Sequence, residues 1–570
     1  MKILLAAINA KYIHSNLAVY SLKTAAEKFQ DSIEIVEFTI NNSADYILKE
    51  IYKRKPDVLM FSCYIWNLRM IEDVVGVFHK LCPAIPIWLG GPEVSFETTD
   101  FLQKHPDVFG VMRGEGDRTF LELCRYYDGS ISELREILGI SFREGEEIIS
   151  TECRPIVDMS TLPFSYNTTQ DFSNRIIYYE SSRGCPFSCS YCMSSVDKKL
   201  RFRDLKLVKE ELQFFIDRKV PQIKFVDRTF NCKHEHATEI WRYIHEHDNG
   251  VTNFHFEISA DLVNEEELAL MEKMRPGLIQ LEIGVQSTNE ATIKAIKRTM
   301  NLERLKEIVE KIKGFGNIHQ HLDLIAGLPY EDYDTFRKSF DDIYALEPNQ
   351  LQMGFLKVLK GSYMYDCIET YEIIYHEKPP YEILATKWLT YEDVLKMKRI
   401  EEMLEVYYNS GQFEITMQVL KTCYDSAFDM FQKLGDFYEE KGYFGMSHSR
   451  IKRCEILMEF LEQEQMSEER IDCIRQALVF DLYYRENCKS RPSWAVSYEQ
   501  LKPFVRHYCK NGKMSHVEMF SYDFLGGKYA YLDEPVFVLF SYDERNPLTH
   551  QASVRYVRPD EDMIIGGGGD

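Results

Sequence analysis

The hydrophobic pattern of residues 1–135 alternates between short apolar runs and amphipathic helical segments. Apolar runs that lack a regular polar position are typical of parallel strands covered on both faces. The pattern therefore predicts an α/β domain built on a doubly wound parallel sheet, which binds ligands beyond the carboxyl ends of its strands. The predicted strands are Lys2–Ile8, Ile33–Phe38, Val58–Ser62, Ile85–Leu89 and Val108–Met112.

A second series of strand–helix units fills residues 171–365. The series predicts a partial (β/α)6 TIM-like barrel, and enzymes of this architecture carry their chemistry at the carboxyl ends of the strands. The predicted strands are Ile176–Glu180, Gln222–Val226, Asn253–Ile258, Leu278–Val285, His319–Ala326 and Gln350–Phe355.

The remaining segments are a connector at residues 136–170, with a small hairpin at Ile140–Ile149, and a mainly helical domain at residues 366–570 with a small β part near its end. No catalytic motif stands out in the helical domain, so its role is not predicted. Its clearest elements are helices at Tyr391–Tyr408 and Met417–Lys441 and strands at His516–Tyr522, Tyr529–Leu532 and Val536–Tyr542.

The charge balance disfavours nucleic acid as a partner of this protein. The chain carries 68 basic and 90 acidic residues, a net charge of −22, so it lacks the basic footprint of a nucleic-acid binder. No apolar run reaches the roughly 18 residues of a membrane span. The N-terminal segment has no signal-peptide cleavage pattern, so we expect a cytoplasmic protein with reduced cysteines.

Three cysteines follow the first predicted barrel strand. Cys185, Cys189 and Cys192 have the spacing C-x3-C-x2-C, and thiolates this close together can converge on one cluster of soft metal ions. Three thiolates leave one iron of a 4Fe–4S cluster without a protein ligand. That open iron can bind a substrate or cosubstrate, whereas a cluster that only carries electrons normally has four thiolates.

Structural zinc is the main alternative. Zinc would need a fourth ligand, and the candidates Cys153 and Cys232 lack the usual paired spacing. Disulfides are the second alternative, but most of the 14 cysteines are scattered singly and the compartment is expected to be reducing. The spacing therefore favours an iron–sulfur cluster.

Polar and glycine-bearing segments follow the predicted strands of the first domain. Two of them, Gly90-Gly91-Pro92-Glu93 and Arg113-Gly114-Glu115-Gly116, place glycine where a ligand can approach the backbone closely. Ordinary tight turns are the alternative interpretation. Two such turns at one edge of the sheet favour a ligand site.

The cysteine loop, with Tyr191 as its aromatic residue and six strand–helix units, resembles the radical S-adenosylmethionine (SAM) superfamily. The doubly wound domain ahead of it resembles the cobalamin-binding class, and the resemblance covers residues 1–365. It implies that the three cysteines hold a 4Fe–4S cluster, that SAM binds the open iron and yields a 5′-deoxyadenosyl radical, and that cobalamin binds the first domain. A flavodoxin or ferredoxin-type protein would donate the electron.

The resemblance also implies individual binding residues. The positions that match the superfamily's SAM contacts are Tyr191, Asp227, Arg228, Ser259, Asp261, Glu282, Gln286 and Leu324. The strand ends of the first domain supply the candidates for cobalamin, which are Asn9, His14, Ser62, Tyr64, Trp66, Gly90, Gly91, Pro92, Glu93, Arg113, Gly114 and Glu115.

The first domain departs from the D-x-H-x-x-G pattern with which the methionine-synthase type supplies a histidine to the lower face of cobalt. None of His14, His79 and His105 lies in that context. We therefore expect cobalamin to be held without that histidine, with water, His14, Tyr64 or Trp66 at the lower face. The departure also allows a domain that no longer binds cobalamin.

The chemistry that the resemblance implies most directly is methylation of an unactivated carbon of a small-molecule substrate. A cobalamin-linked rearrangement, cyclisation or reduction is the main alternative within the class. RNA modification is disfavoured by the acidic charge and by the lack of a second C-x3-C-x2-C motif. A non-catalytic cobalamin or redox sensor is disfavoured by the full series of SAM-contacting positions.

Overall fold

The structure is a computed structural model that describes residues 1–166, 172–489, 491–495, 497–508 and 514–558. Its N-terminal strands are β1 (Ile3–Asn9), β2 (Ile33–Thr39), β3 (Val58–Ser62), β4 (Ile87–Gly90), β5 (Gly110–Met112), β6 (Ile140–Glu144) and β7 (Glu147–Ser150). They form one sheet in the order β2-β1-β3-β4-β5-β6-β7, which is parallel from β2 to β5. The predicted doubly wound sheet is confirmed.

The hairpin predicted at Ile140–Ile149 is present, but it belongs to this sheet. β6 pairs antiparallel with β5, with Met112 opposite Ile140, and β7 pairs antiparallel with β6. The strands that were assigned to a connector therefore extend the sheet by two strands.

Helices cover both faces of this sheet, and each face has its own core. α2 and α3 contribute Ile51 and Phe78 to one hydrophobic cluster, and α1 and α5 contribute Val19 and Phe120 to the other. The five helices are α1 (Leu17–Ala25), α2 (Ala44–Arg54), α3 (Leu68–Leu81), α4 (Thr98–Lys104) and α5 (Gly116–Tyr127).

The second part is an open barrel of six parallel strands. The elements are β8 (Ile176–Tyr179), β9 (Ser182–Arg183), β10 (Arg201–Phe202), β11 (Gln222–Phe225), β12 (Asn253–Ile258), β13 (Ile279–Gln286), β14 (His319–Ala326) and β15 (Gln350–Phe355). The strand order is β15-β14-β13-β12-β11-β8, while β9 and β10 form a separate two-stranded ribbon. The helices between the strands are α6 (Leu205–Asp217), α7 (His234–Glu246), α8 (Glu265–Met271), α9 (Glu290–Ala295), α10 (Leu302–Phe315) and α11 (Tyr333–Tyr344).

The C-terminal part is mainly helical and ends in a three-stranded antiparallel sheet. Its first elements are α12 (Tyr363–Asp366), β16 (Ile374–Tyr375), β17 (Ile383–Ala385), α13 (Tyr391–Met403), a π-helical turn (Leu404–Asn409), α14 (Glu414–Lys421) and α15 (Ala427–Lys441). The later elements are α16 (Arg450–Gln463), α17 (Glu468–Arg485), α18 (Tyr498–Tyr508), β18 (Ser515–Tyr522), β19 (Tyr531–Arg545) and β20 (Ala552–Val557).

Two element predictions for this part are wrong in detail. The helix predicted over Met417–Lys441 is two helices, because Ser426 caps the second one by accepting a hydrogen bond from the amide of Asp429. The strands predicted at Tyr529–Leu532 and Val536–Tyr542 form the single long strand β19. No helix among the described residues is long and apolar enough to cross a membrane.

Candidate active site

The cysteine loop begins directly after β9 and connects it to β10, its partner in the two-stranded ribbon. Gly184 precedes the first cysteine with φ 86°, and a Cβ at this position would lie 2.7 Å from the carbonyl oxygen of Lys199. Only glycine fits both the left-handed backbone and this close approach. The amide of Cys185 donates to the carbonyl of Asp197 at 3.0 Å, so the backbone fixes where the loop starts.

The predicted cluster ligands Cys185, Cys189 and Cys192 share this one loop, and donors approach two of the sulfur atoms. Arg298 Nη1 donates to Cys189 Sγ at 3.7 Å, and the amide of Ser194 donates to Cys192 Sγ at 3.4 Å. Such donors favour the thiolate, which is the form that binds metal. The loop therefore has the chemistry of a metal site.

The spacing of the three thiols fits a cluster better than a single ion. Thiolates on one zinc ion lie close together, because each Zn–S bond is only about 2.3 Å long. Within the described ranges, the three cysteines do not form a group whose donor atoms all lie within 4.8 Å of one another. In a 4Fe–4S cluster each thiolate bonds a different iron, so wider spacing is required. The residues present fit a three-cysteine cluster.

Arg298 is the site residue that the sequence patterns do not reveal. Its Nη1 lies 3.3 Å from the hydroxyl of Tyr191, and its Nη2 donates to the carbonyl of Gly284 in β13. Burial raises the pKa of the Cys189 thiol, and the Arg298 guanidinium opposes this shift. One partly buried cation thus joins the cysteine loop to the barrel. In the sequence it is one of three basic residues, with Lys294 and Lys297, so no local pattern singles it out.

Asp227 has partners other than the SAM that was predicted for it. The side chain is fully buried, and its oxygens accept from the Ser181 amide at 2.9 Å and from the hydroxyls of Ser181 and Ser182 at 2.6 and 2.5 Å. Burial raises the pKa of Asp227 to about 6, and these donors oppose the shift. Asp227 holds the backbone ahead of the cysteine loop, whereas Arg228 is exposed and acts on the pKa of Tyr64 across the domain boundary.

Ser259 and Asp261 form a hydrogen-bonded pair at the end of β12. Ser259 Oγ donates to Asp261 Oδ1 at 2.7 Å, and the amide of Asn301 donates to Asp261 Oδ2 at 2.8 Å. Asn231 clamps the backbone of Ser259 through two hydrogen bonds of 2.9 and 3.0 Å. A carboxylate held in this way can accept hydrogen bonds from the hydroxyl groups of a ligand.

Gln286 keeps an unsatisfied polar atom at the end of β13. The strand bulges between Gly284 and Gln286, and Gln286 adopts φ 75°. Its Oε1 is buried without a hydrogen-bond partner. A buried carbonyl oxygen without a partner is a group that a ligand can satisfy, so this position fits the predicted SAM site.

Glu282 and Leu324 are placed differently from the SAM contacts that were predicted. Lys224 Nζ donates to Glu282 Oε2 at 2.8 Å, and His255 Nε2 lies 2.9 Å from the same oxygen. Burial opposes ionisation, but His255 and Lys224 outweigh it and hold the pKa of Glu282 well below its usual range. Leu324 is 1% exposed and belongs to the hydrophobic core, because successive side chains of β14 point to opposite faces.

The carboxyl edge of the N-terminal sheet lies against the barrel. The amide of Ile176 in β8 donates to the carbonyl of Ile13 at 2.7 Å, and the amide of Ser15 donates to the carbonyl of Ile176 at 3.2 Å. Between them, His14 Nδ1 lies 2.6 Å from the hydroxyl of Tyr178, and the two rings stack at 5.8 Å. Burial lowers the pKa of His14, which favours the neutral imidazole.

Asn9 and Ser62 lie buried at the carboxyl edge of the N-terminal sheet and form hydrogen bonds with neighbouring side chains. Asn9 Nδ2 donates to Glu37 Oε1 at 2.9 Å, and Asn16 Nδ2 donates to Ser62 Oγ at 3.1 Å. Both predicted cobalamin contacts are buried. Their side chains order the loop that follows β1.

Tyr64 and Trp66 form a stacked aromatic pair at the end of β3. Their ring centroids lie 4.5 Å apart with an interplanar angle of 5°, and Trp66 Nε1 donates to the carbonyl of Ile8 at 3.2 Å. Trp66 is 45% exposed, and Tyr12 after β1 is 71% exposed. Exposed aromatic side chains at a strand-end edge mark a ligand surface and fit a large flat ring system such as a corrin.

The predicted glycine turns differ in the space that they leave. Gly91 has φ 114°, and a Cβ there would lie 2.4 Å from the carbonyl oxygen of Cys63, so the turn itself requires glycine. A Cβ at Gly90 would lie 3.2 Å from the side chain of Met112. Gly114 has no atom within 4 Å of an added Cβ. Of these three glycines, Gly114 is the one that leaves open space for a ligand.

Pro92, Glu93 and Arg113 are tied to the surrounding scaffold. Pro92 begins a short 3-10 helix, and Glu93 accepts a hydrogen bond from the hydroxyl of Tyr381. Arg113 Nη2 donates to the carbonyl of Ile140 at 3.2 Å. These partners hold the edge of the sheet in place.

Glu115 links the first domain to the cysteine loop. Its Oε1 accepts from Arg201 Nη2 at 2.6 Å, and Asp117 Oδ2 accepts from Arg183 Nη1 at 2.9 Å. The two arginines face each other in the β9–β10 ribbon that leads to Cys185. Two ion pairs therefore hold the carboxyl edge of the N-terminal sheet next to the cysteine loop.

Three family models match the chain one after another. Residues 3–124 match the B12 binding domain, residues 179–343 match the radical SAM superfamily, and residues 369–540 match a protein family of unknown function, DUF4080. The resemblance inferred from the sequence is confirmed: the chain carries a B12 binding domain followed by a radical SAM domain. The cofactors of these two domains are a 4Fe–4S cluster, SAM and cobalamin.

Curated relatives differ in their reactions. The chain is 26% identical over 306 residues to 2-(S-pantetheinyl)-carbapenam-3-carboxylate methyltransferase of Streptantibioticus cattleyicolor, which covers 50% of this chain and 44% of that protein. It is 20% identical over 331 residues to the anaerobic magnesium-protoporphyrin IX monomethyl ester cyclase of Cereibacter sphaeroides, covering 54% and 52%. The chain thus spans about half the length of these curated relatives.

A solved structure shares the fold. The radical SAM methyltransferase TsrM from Kitasatospora setae, with cobalamin and a 4Fe–4S cluster bound, superimposes with a TM-score of 0.56 at 15% identity. The match covers 67% of this chain and 82% of that chain. At this identity the likeness concerns the fold alone.

Proposed function

We propose that this protein is a cobalamin-dependent radical SAM enzyme that methylates an unactivated carbon of a small-molecule substrate. The observation that carries the proposal is the position of the two cofactor segments. The ion pairs Asp117–Arg183 and Glu115–Arg201 join the segment after β5, at the carboxyl edge of the N-terminal sheet, to the ribbon that flanks the cysteine loop. A methyl donor on the first domain and a radical source in the barrel can then act on one carbon.

The bound cluster, SAM and cobalamin supply the electron, the hydrogen-abstracting radical and the methyl group. The chain binds and orients them. We assign Cys185, Cys189 and Cys192 to the cluster, and we assign the hydrogen-bonded pair Ser259 and Asp261 to hydroxyl groups of SAM.

For cobalamin, we assign the stacked pair of half-buried Tyr64 and exposed Trp66 to the face of the corrin ring and Gly114 to the close backbone approach. His14 is engaged by Tyr178 of the barrel, so we assign it to the contact between the domains. We therefore do not assign His14 to cobalt.

The proposed chemistry also implies an electron donor and a cellular location. We propose a flavodoxin or ferredoxin-type electron donor and a cytoplasmic location, because the cluster must be kept reduced.

The test is anaerobic reconstitution with iron, sulfide, cobalamin and SAM that carries a labelled methyl group. Methyl transfer predicts labelled methylcobalamin and S-adenosylhomocysteine in addition to 5′-deoxyadenosine. If deoxyadenosine forms without either of them, methyl transfer is contradicted, and a rearrangement, cyclisation or reduction is supported instead.

Two cysteine variants provide the matched control. Cys189→Ala should abolish deoxyadenosine and most of the bound iron, because it removes a cluster ligand. Cys232→Ala should keep both, because Cys232 lies near Cys185 but outside the loop. Loss of iron in the Cys232 variant would instead point to a fourth protein ligand and a closed site.

A further inference from the structure

A second group of metal-ligand side chains lies inside the barrel. Glu282, His321 and Asp323 each offer one ligand atom, and these atoms all lie within 4.8 Å of one another. Across the ranges that the structure describes, this is the one group of His, Cys, Asp and Glu that meets this distance. The residues come from adjacent strands, because Glu282 of β13 stands opposite His321 of β14.

His255 lies beside this group and contacts Glu282. Its Nε2 lies 2.9 Å from Glu282 Oε2, and His321 Nε2 lies 3.1 Å from Asp323 Oδ1. Neither contact has hydrogen-bond geometry, so both nitrogens and Asp323 Oδ1 lack a partner. Adjacent ligands of an octahedral ion with bonds of about 2.1 Å stand about 3.0 Å apart, which matches the contact between His321 and Asp323.

The two histidines are deeply buried. His255 is 7% exposed and His321 is 8% exposed. Buried polar atoms in proteins nearly always have a partner, so two orphaned imidazole nitrogens aimed at carboxylates need an explanation. A cation bound by the group would satisfy the His321 nitrogen and the free Asp323 oxygen at once.

We propose that Glu282, His321 and Asp323 bind a divalent first-row transition-metal ion, with His255 lying beside Glu282. Imidazole together with carboxylate suits zinc and ferrous iron, whereas magnesium and calcium prefer oxygen alone. An ion here would offer its remaining positions to an anionic or hydroxyl-bearing substrate in the barrel. That last step rests on the proposed function, whereas binding of the ion does not.

The experiment uses the full chain with its cluster loaded, so that the cysteine thiols are occupied. The protein is stripped with a chelator and titrated with zinc against a fluorescent zinc indicator. We expect one equivalent of tightly bound zinc per chain. Asp323→Asn and Glu282→Gln, which keep the side-chain volume, should each weaken binding about 100-fold or more.

His234→Ala is the matched control. His234 Nδ1 lies 3.0 Å from Glu267 Oε1, a similar His–carboxylate pair outside the group, and its removal should leave zinc affinity unchanged. Iron content and circular dichroism report whether each variant keeps its cluster and fold. Less than one equivalent of zinc in the unaltered protein overturns the proposal, and so does unchanged zinc affinity in both carboxylate variants. The readout does not depend on SAM cleavage, so failure of the proposed function would be seen separately.

Discussion

The guanidinium of Arg298 lies in contact with one sulfur of the cysteine loop. It is within 3.7 Å of Cys189 Sγ and is held there by Tyr191 and the carbonyl of Gly284. A positive charge near a cluster stabilises the reduced form, which carries one more electron. The position of Arg298 therefore bears on how easily the cluster accepts its electron.

Arg298→Gln should lower the reduction potential of the cluster by roughly 100 mV, because one nearby positive charge is lost in a partly buried site. The check is a redox titration followed by electron paramagnetic resonance, with iron content measured in parallel. Arg298→Lys keeps the charge and should recover most of the potential. An unchanged potential in the glutamine variant would show that the guanidinium acts only by packing.

Glu331 gives the protein a pH-dependent stability. It is fully buried, accepts hydrogen bonds from the hydroxyls of Ser287 and Ser339 on Oε1, and has no partner on Oε2. Burial raises its pKa from 4.5 to about 7. The folded state thus holds the proton more tightly than the unfolded chain, so this group's stabilising contribution is complete below pH 4.5 and is lost as pH rises to 7.

Glu331→Gln should remove the loss of stability at higher pH, because the glutamine amide does not ionise. The free energy of unfolding of the variant relative to the natural chain should increase by about 3 kcal/mol between pH 4.5 and pH 8. Urea unfolding at several pH values measures it. A constant difference across this range would show that Glu331 does not titrate there.

Residue-level contacts were the hardest feature to predict from the sequence. The position of Leu324 matched a family motif, but the alternation of β14 turns its side chain into the core. Arg298 reaches Cys189 across more than a hundred residues, and no local pattern encodes such a contact. The polar positions of the barrel interior were visible, since His255 and Glu257 alternate with phenylalanines, but their convergence depends on strand register.

At the scale of elements, the segment that joins β9 to the cysteine loop requires glycine at position 184, and this requirement can be tested. Gly184 and Gly129 have nearly the same φ, 86° and 87°, but only Gly184 is crowded, by Lys199. Gly129→Ala should cost only the left-handed backbone strain of about 1 kcal/mol. Gly184→Ala adds a backbone clash, so it should cost more and displace the cysteine loop.

Iron content after reconstitution separates these two effects. The Gly129 variant should bind as much iron as the natural chain, and the Gly184 variant should lose most of it. Thermal unfolding of both variants gives the accompanying loss of stability. Equal iron in the two variants would show that the loop tolerates the clash.

Elements with a strong local pattern were predicted closely. Val58–Ser62 and Asn253–Ile258 have the predicted bounds, because their apolar runs end at polar or turn residues. The sequence was less informative where a helix cap or a neighbouring strand determines the bounds of an element. Ser426 divides a continuous amphipathic pattern into α14 and α15, and pairing with β18 and β20 joins two predicted strands into β19.

At the scale of the whole molecule, the N-terminal sheet has hydrophobic cores of its own, whereas the barrel does not. The N-terminal sheet has two hydrophobic clusters of its own, one on each face. The barrel and the C-terminal helices share a single cluster. Within it, Phe340 of α11 lies 5.5 Å from the ring of Phe428 in α15, and Tyr344 lies 5.8 Å from Phe431. The packing therefore continues across residue 365.

This difference predicts how shortened chains behave. Residues 1–150 alone should give a soluble monomer that unfolds cooperatively, because both faces of the sheet keep their helices. Residues 1–365 should aggregate, because removing Phe428, Phe431 and their neighbours exposes the apolar faces of α11 and β15, and each buried phenylalanine contributes about 2–3 kcal/mol. Size-exclusion chromatography and the soluble fraction measure both outcomes, with the full chain as control. A monomeric 1–365 chain that still binds iron would contradict this prediction. It would show that the barrel folds stably without the helical region, whose role would then not be to stabilise the barrel.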